Sequence, residues 1–542
     1  MNTRPSLLTL AHRILIAAAL VVMVGYLLVY VGYAINLMQF PFDYDQGEGF
    51  ELVDTILFSQ GEFPYRNTDT YPFYSSNYPP LFHVIAAPFV WVFGSAYWYG
   101  RLLGFLGTLV TASAIGLAVY REGRRRDIAI LAGLAFLASN TVYHIGPLFR
   151  QHMTMVMFET LAVVILAGAN EIPDQGRRRR VIALGLVLII AAGYTKQLAI
   201  FTAAAALIFL FIRQPRRAIV AGVLFALAGG VIFLWMNLAT DGEWFRQAIQ
   251  ANVNRINFDQ TIGLFRLWWY LHGFLIVPAV LLVIYQVYFS RISIYALWFA
   301  ASLVQGALSG TWGGGDSYFA TSIAAVMILS GIFAAKMLNG DWHFPVNYLS
   351  RIVIFPFKRL ARPLTASALI VIPLLYLGYG RTVMHLPTDA PVYSTIADVF
   401  GIEANALNGF YDSATRIVGG YADIGHWTTQ ADIDAGWQIV EMIRTSDRPA
   451  LSEEAGFQLL ADQDVITNPT QLLNLWLNGV FDGTELIAMI EDQAFGLVIM
   501  RAQFYPTEVL QAIQREYEQT ETIAMNGFDY LILRPRAVPL TE

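Results

Sequence analysis

The sequence predicts a mainly α protein: a polytopic membrane helical bundle of about eleven spans, followed by a small extracytoplasmic α/β domain. Three observations lead there. Of the 542 residues, 56% are hydrophobic and only 14% are charged, whereas soluble domains average about 25% charged residues. Apolar runs approaching the roughly 20 residues needed to cross a bilayer recur through the first two thirds of the chain. Charge is also divided unevenly. Residues 391–542 hold 22 of the 40 acidic side chains and 7 of the 34 basic ones, so the net charge of −6 conceals −15 in the tail and +9 before it. A membrane module over 1–380 and a polar domain over 381–542 are expected, in two environments.

The first span is read from Ile14 to Met38, flanked by Arg4 and Arg13. It is too long for the apolar core of a cleaved signal peptide, so a retained span is expected. Further spans are expected near 98–120, 128–146, 153–170, 181–195, 197–212, 218–238, 267–289, 293–309, 317–335 and 364–380. Basic clusters mark the cytoplasmic side: Arg121 with Arg124–Arg126, Arg177–Arg180, Arg213 with Arg216 and Arg217, and Lys358 with Arg359 and Arg362. With the N-terminus cytoplasmic, every cluster falls inside, and 39–97, 147–152, 239–266, 310–316 and 381–542 fall outside. The apolar segment 80–96 contains His83 and Pro88 and follows Pro79 and Pro80. Counted as a crossing it would reverse every later cluster, so it is read as interfacial or re-entrant. The result is a multi-pass inner-membrane protein with its C-terminal domain outside.

In the tail, short β-like runs at Ala450–Ser452, Asp464–Thr467, Gly496–Met500 and Tyr530–Leu533 alternate with helix-like stretches such as Pro506–Glu518. No Gly-rich phosphate loop follows a strand there, and nothing points to nucleic acid. The absence of cysteine excludes disulfides, thiolate nucleophiles and Cys-ligated metals. The histidines show no metalloprotease spacing, and no G-x-S-x-G occurs.

Four features carry ionisable groups to the outer side. The first is the outer loop 39–97, rich in Tyr, Asn and Pro, which opens with Asp43, Asp45 and Glu48 just beyond the first span. A carboxylate there can accept a proton from a hydroxyl nucleophile or hold a divalent cation. Asp43 and Asp45 form an Asp-x-Asp and are the metal candidates; an acidic, water-facing loop is the other reading. The second is Arg150, Gln151 and His152 between two spans. A basic residue on the outer side suits an anionic partner, since Arg presents a fork to phosphate oxygens, or it snorkels to headgroups. The third is Lys196-Gln197 inside an apolar stretch, where an ionisable group is a functional hypothesis by default. Its partner is a phosphate or a carboxylate on a neighbouring helix. The fourth is the Gly-rich run 310–319 with Asp316 and Tyr318, a substrate loop or a turn between helices.

Taken in order, these features resemble the GT-C class of membrane glycosyltransferases, in particular the protein O-mannosyltransferase and aminoarabinose transferase group. Such proteins place an acidic motif in the first outer loop, here Asp43 to Glu48. An aromatic-Pro-Pro-Leu-Phe entry to an apolar helix follows, here Tyr78 to Phe82, and then an Arg-Leu helix, here Arg101-Leu102-Leu103. Lys196-Gln197, Tyr318-Phe319 and the run 450–469 also match bacterial members. Where many members have Asp-Glu in the first loop, Asp45 is followed here by Gln46.

The resemblance implies transfer of a sugar from a polyprenyl-phosphate donor to a hydroxyl of a glycan, lipid or protein acceptor at the outer face, with inversion. Asp45 is then the expected base, assisted by Asp43 or Glu48. Lys196, Arg150, Gln197 and His152 would bind the donor phosphate, and Tyr78, Arg101, Asp316 and Tyr318 would shape the substrate loops. This reading requires no particular cofactor; a divalent cation is an option that the acidic motif can hold. The competing expectations are a lipid or sugar transporter, which should show two related halves with broken helices, and a non-catalytic scaffold.

Overall fold

Runs of apolar residues without interior breaks make long helices, and the computed structural model is built from them. It describes residues 7–383, 385–386, 391–400, 411–412 and 427–537, so the domain expected over 381–542 is described mainly in its second part. The helices are α1 (Leu7–Gln39), α2 (Glu48–Ser59), α3 (Leu81–Phe93), α4 (Trp98–Gly123), α5 (Arg126–Leu137), α6 (Asn140–Ile145), α7 (His152–Ala167), α8 (Gln175–Thr195), α9 (Ile200–Arg213), α10 (Pro215–Ala239), α11 (Glu243–Ala248), α12 (Phe258–Phe289), α13 (Ile294–Ala307) and α14 (Ala320–Asn339). Then come α15 (Tyr348–Val353), α16 (Ala361–Thr382) and α17 (Pro391–Phe400). The C-terminal part adds α18 (Gln430–Arg444), α19 (Ala455–Leu460), α20 (Pro469–Leu477), α21 (Thr484–Glu491) and α22 (Thr507–Glu516).

Seven helical segments among the described residues are long and apolar enough to cross a membrane unaided: Leu7–Gln39, Trp98–Gly123, His152–Glu171, Pro215–Ala239, Phe258–Phe289, Asp316–Asn339 and Arg362–Thr382. The expected count of about eleven is therefore not met by length alone. The expected span 128–146 is α5 and α6, separated at Ala138–Ser139. The span 181–195 lies in α8, whose first turns hold Arg177–Arg180. The spans 197–212 and 293–309 are α9 and α13, each of 14 residues. At 1.5 Å per residue such a helix covers about 21 Å, less than the roughly 30 Å of a hydrocarbon core. The same arithmetic applies to the 13 residues of α3.

α14 is the axis of the bundle, with 16 of its 20 residues buried against α4, α5, α7, α12, α13 and α16. Its small residues allow that crowding, as is usual where membrane helices associate through close backbone approach. A Cβ on Gly331 would fall 2.7 Å from the side chain of Val119 and 3.1 Å from Cβ of Ala132. α1 lies along α4, α5 and α16, and Tyr26 donates to the Gly380 carbonyl at 2.7 Å. By contrast α10 turns nearly all of its apolar surface outward, as a lipid-facing helix does.

The C-terminal residues form a four-stranded sheet. A short pair, β1 (His385–Leu386) and β2 (Tyr411–Asp412), precedes it. Its strands are β3 (Ala450–Ser452), β4 (Leu497–Met500), β5 (Tyr517–Met525) and β6 (Phe528–Pro535), in spatial order β3-β4-β6-β5. β3 runs parallel to β4, with Leu451 opposite Val498, and the other pairs are antiparallel. One face packs on α20, α21 and α22 through Leu451, Val498 and Leu533. Residues of the other face, Ile499, Ile523 and Ile532, join Ile439 and Phe457 of α18 and α19.

Two sequence expectations are corrected. Residues 464–467 are not a strand: the Asp464 carbonyl accepts from Gln458, and Thr467 bonds to Tyr505. β5 was not expected, and the helix before it ends at Glu516 instead of Glu518. β5 is an edge strand with Glu518, Gln519, Thr520, Glu521 and Thr522 exposed, the polar composition by which edges avoid further pairing.

A Gly331→Leu variant should lower the detergent thermal midpoint, because overpacking a filled core costs about 1–3 kcal/mol. An unchanged midpoint would mean that α14 has slack at this position.

Candidate functional site

The site is built where the segment after α1 folds back onto the bundle. α1 stops at Gln39, and the chain turns at Phe40–Gly47 under one guanidinium. Arg101 of α4, with no exposure, donates to the carbonyls of Leu37, Phe40 and Phe42 and to both oxygens of Glu48. Glu48 Oε1 also accepts from the Phe149 amide at 2.6 Å, and Oε2 from the Tyr44 amide at 3.0 Å. Burial pushes this carboxyl upward, but the Arg101 charge and these hydrogen bonds more than offset it and hold it below the ordinary Glu value. Glu48 is thus an ionised anchor whose oxygens face inward.

Asp43 is also enclosed. Its Oδ1 accepts from the Gly49 amide at 2.6 Å, and its Oδ2 accepts from Tyr97 Oη at 2.6 Å and from the Gly456 amide at 2.9 Å. Burial pushes its carboxyl up, and Glu48 adds to that. The last bond comes from the first turn of α19, so the C-terminal part closes over the acidic motif. Phe42 supports it with rings of Trp437 and Phe457 at 5.6 and 5.7 Å. Asn526 donates to the Tyr44 carbonyl at 3.2 Å. A cleft of about 450 Å³ lies behind this point, lined by Tyr97, Arg444, Gly456 and Leu459 among others.

Asp45 differs from both. Its Oδ2 accepts from Arg150 Nε at 2.6 Å and lies 2.6 Å from Nη2 in the same ion pair. Its Oδ1 is buried and has no hydrogen-bond partner. Arg150 reaches on to Glu51 Oε1 at 3.3 Å and lies so close over Gly47 that any side chain there would collide with the guanidinium. A glycine is required at 47 for approach, not for backbone angle.

Lys196 enters from the other side. Its backbone is extended at φ −156°, ψ 138°, and this one residue breaks the helix between α8 and the turn 197–199. The ammonium is only 2% exposed and makes no ion pair among the described residues. It meets His152 Nδ1 at 3.2 Å and Tyr78 Oη at 3.5 Å, and lies 4.5 Å from the Tyr78 ring centre and 5.7 Å from that of Tyr318. His152 Nε2 continues to Ser317 Oγ at 3.2 Å. Gln197 points elsewhere, donating to the carbonyls of Asn77 and Ala248, both at 2.9 Å. It fixes the loop that carries Tyr78.

The predicted residues therefore divide. Lys196, His152, Tyr78 and Tyr318 touch one another. Asp45 and Arg150 form a separate pair, whose guanidinium charge acts on Lys196 and His152 without a direct contact among the described residues. Asp316 lies nearby but is paired, with its Oδ2 at 3.0 Å from Thr141 Oγ1 and 3.1 Å from His144 Nε2. Asp43, Glu48, Arg101 and Gln197 hold the backbone around the group. Both oxygens of Asp43 accept hydrogen bonds, and Asp45 Oδ2 is held by Arg150. Among the described residues a group of three potential metal ligands is formed by Glu51, Asp54 and His83, whose ligand atoms lie within 4.8 Å of one another. Burial pushes Glu51 up to about 8 and Asp54 up to about 7. Sequence reading missed this trio. Glu51 and Asp54, three apart on α2, share a face, but only the return of the chain through Tyr78–Phe82 brings His83 to them.

Replacing Glu48 by Gln should cost about 3–5 kcal/mol, the usual result of stranding a buried partner charge. Thermal unfolding in detergent, with Arg101 unaltered, reads this as a large fall in midpoint. A fall no greater than that of an exposed Glu→Gln control would show that Arg101 is held by the carbonyls alone.

No family model matches the chain, and no curated protein matches it by sequence. Solved structures do match. The apo structure of ArnT from Cupriavidus metallidurans superposes with a TM-score of 0.54 at 13% identity, covering 94% of this chain and 98% of ArnT. ArnT bound to undecaprenyl phosphate gives 0.52 at 14% identity, covering 96% and 97%. An oligosaccharyltransferase from Archaeoglobus fulgidus gives 0.48 at 10% identity, covering 93% of this chain and 73% of that one. The chain has the ArnT fold over nearly its whole length, which is the fold expected from the resemblance to the GT-C aminoarabinose transferase group.

Proposed function

We propose that the chain is a membrane glycosyltransferase that moves a sugar from a polyprenyl-phosphate donor to an acceptor hydroxyl, with inversion. The observation that carries this reading is the pairing of Asp45 with Arg150 near a buried lysine. Asp45 is a buried carboxylate with one unpaired oxygen held by Arg150, and the charge of Arg150 acts on Lys196, a cation that makes no ion pair among the described residues. Such a cation in a low-dielectric site favours an anion, and a lipid phosphate is an anion that can arrive from the bilayer.

In this reading the donor phosphate lies between Arg150 and Lys196, with His152 at its edge. The rings of Tyr78 and Tyr318 flank Lys196 and can lie against the sugar or the first isoprene units. Asp45 Oδ1 accepts the proton of the acceptor hydroxyl as its oxygen attacks the anomeric carbon. The bond from that carbon to the phosphate oxygen breaks, and its electron pair leaves with the polyprenyl phosphate. The charge gained there is met by Arg150 and Lys196, already oriented before the reaction. Arg150 also aims Asp45, so one guanidinium sets the distance between base and leaving group.

The fold supports the class of reaction, and undecaprenyl phosphate is the ligand held by the second ArnT structure. The donor's lipid, the outer-face acceptor and the orientation with the N-terminus cytoplasmic belong to this proposal. So does the division into a membrane module, 1–380, and an extracytoplasmic domain, 381–542. That domain closes over the acidic motif through the Gly456–Asp43 and Asn526–Tyr44 bonds. It is the natural place for acceptor contacts.

With purified chain and a radiolabelled polyprenyl-phosphate sugar, Asp45→Asn should lower turnover by about 10²–10⁴, the usual worth of a general base, while donor binding persists. Undiminished turnover in the folded variant would remove Asp45 from the reaction. Lys196→Ala should weaken donor binding at least tenfold, read by competition with undecaprenyl phosphate. Arg150→Lys should keep some donor binding but lose turnover, because an ammonium cannot fork onto Asp45. Binding unaffected by both cation changes would place the phosphate elsewhere.

A further inference from the structure

We infer that Glu51, Asp54 and His83 form a binding site for one divalent transition-metal ion, of the Zn²⁺ or Mn²⁺ class. The argument begins with a hydrogen inventory. Thr55 Oγ1 donates to the Glu51 carbonyl at 2.7 Å, which commits its single proton. The same oxygen lies 3.3 Å from His83 Nδ1 and can only accept there, so Nδ1 carries the hydrogen. In the neutral ring this leaves the lone pair on Nε2. Nε2 is buried without a hydrogen-bond partner, 3.3 Å from Glu51 Oε2 and 3.7 Å from Asp54 Oδ2. With both carboxyls deprotonated, as a bound cation makes them, three electron-pair donors face one another there, on residues that are 0%, 2% and 3% exposed.

A divalent ion held at about 2.0–2.2 Å by one imidazole nitrogen and two carboxylate oxygens separates those atoms by about 3.0–3.5 Å. The two spacings from Nε2, 3.3 and 3.7 Å, are close to that range, and all three ligand atoms lie within 4.8 Å of one another. The surrounding contacts are those expected around ligands. Thr55 fixes the tautomer of His83. Tyr74 and Ser76 donate to Asp54, and Gln151 and Arg150 donate to Glu51. No arginine or lysine pairs with Asp54 among the described residues, so an ion would supply the absent positive charge. A nitrogen in the set favours Zn²⁺ or Mn²⁺ over Ca²⁺ and Mg²⁺. Bound there, the ion joins α2 to α3 and steadies Glu51, which in turn steadies Arg150. Because the ligands are buried, it is a structural pin and not a Lewis acid on substrate.

The site stands on its own donors and does not depend on the proposed transfer reaction, so it is tested without donor or acceptor. Full-length chain in nanodiscs is stripped with chelator and passed through gel filtration. It is then titrated separately with Zn²⁺, Mn²⁺ and Mg²⁺, reading bound metal by mass spectrometry and the thermal midpoint. One Zn²⁺ or Mn²⁺ per chain with a raised midpoint is expected, and His83→Gln and Asp54→Asn should each weaken binding at least tenfold. Zinc-edge X-ray absorption of the wild type, which needs no variant to fold, should show one imidazole among oxygen ligands. Binding well below one ion per chain, binding equal in wild type and both variants, or an edge spectrum with no imidazole or more than one would overturn the inference. A chain that binds no ion yet transfers sugar would overturn this site and leave the transferase reading intact.

Discussion

Arg101 sets the position of everything around the acidic motif. Its guanidinium is buried without exposure, takes three main-chain carbonyls at the end of α1, and neutralises Glu48 at the start of α2. An acidic, glycine-rich segment leaving a membrane helix would otherwise expose its carbonyls and remain open to water. With Arg101 in place the turn is closed, α2 starts at a defined point, and Asp45 is carried to Arg150. Only glycine at 47 lets that second guanidinium lie across the turn. The two arginines do different work: one ties down the main chain, the other presents a carboxylate.

The chemistry the site can support follows from an imbalance of charge. Asp43, Asp45, Glu48, Glu51 and Asp54 lie within twelve residues of sequence, all nearly without exposure. Arg101 answers Glu48, and Arg150 is shared by Asp45 and Glu51. Among the described residues, Asp43 is supported by hydrogen bonds without an ion pair, and Asp54 meets two hydroxyls and an edge of His83. On the other side Lys196 lies among aromatic rings and makes no ion pair among the described residues. A site so arranged has a place for an anion beside Lys196 and a place for a cation beside Asp54, about Arg150 as the common neighbour. This is why donor phosphate and metal ion are separate proposals about one polar layer.

Much of this was legible in the sequence, for a physical reason. Ionisable residues among apolar ones are costly, so Lys196, Arg150 and Asp45 stand out by contrast. In the fold Asp45 pairs with Arg150, and the charge of Arg150 acts on Lys196. The charge contrast of the tail and the strands at Ala450–Ser452 and Gly496–Met500 were legible too. What was hidden depended on contacts that sequence does not encode locally. Glu51 and Asp54 look like the polar face of any short helix, and His83 looks like a stray residue in an apolar run. Arg101 was noticed through the resemblance, yet its carbonyl partners could not be read from it. β5 was hidden because an edge strand with a polar face reads as a loop or a helix end. Seven helical segments among the described residues pass on length and apolarity together, whereas α9 and α13 are apolar but short, a difference that apolarity alone does not reveal.

The most direct measurement is a cryo-electron microscopy structure of the full chain in nanodiscs with bound undecaprenyl phosphate. The account predicts the phosphate within hydrogen-bond distance of both Arg150 and Lys196, with the lipid tail leaving toward the bilayer past Tyr78 or Tyr318. A phosphate seated elsewhere, touching neither side chain, would contradict it.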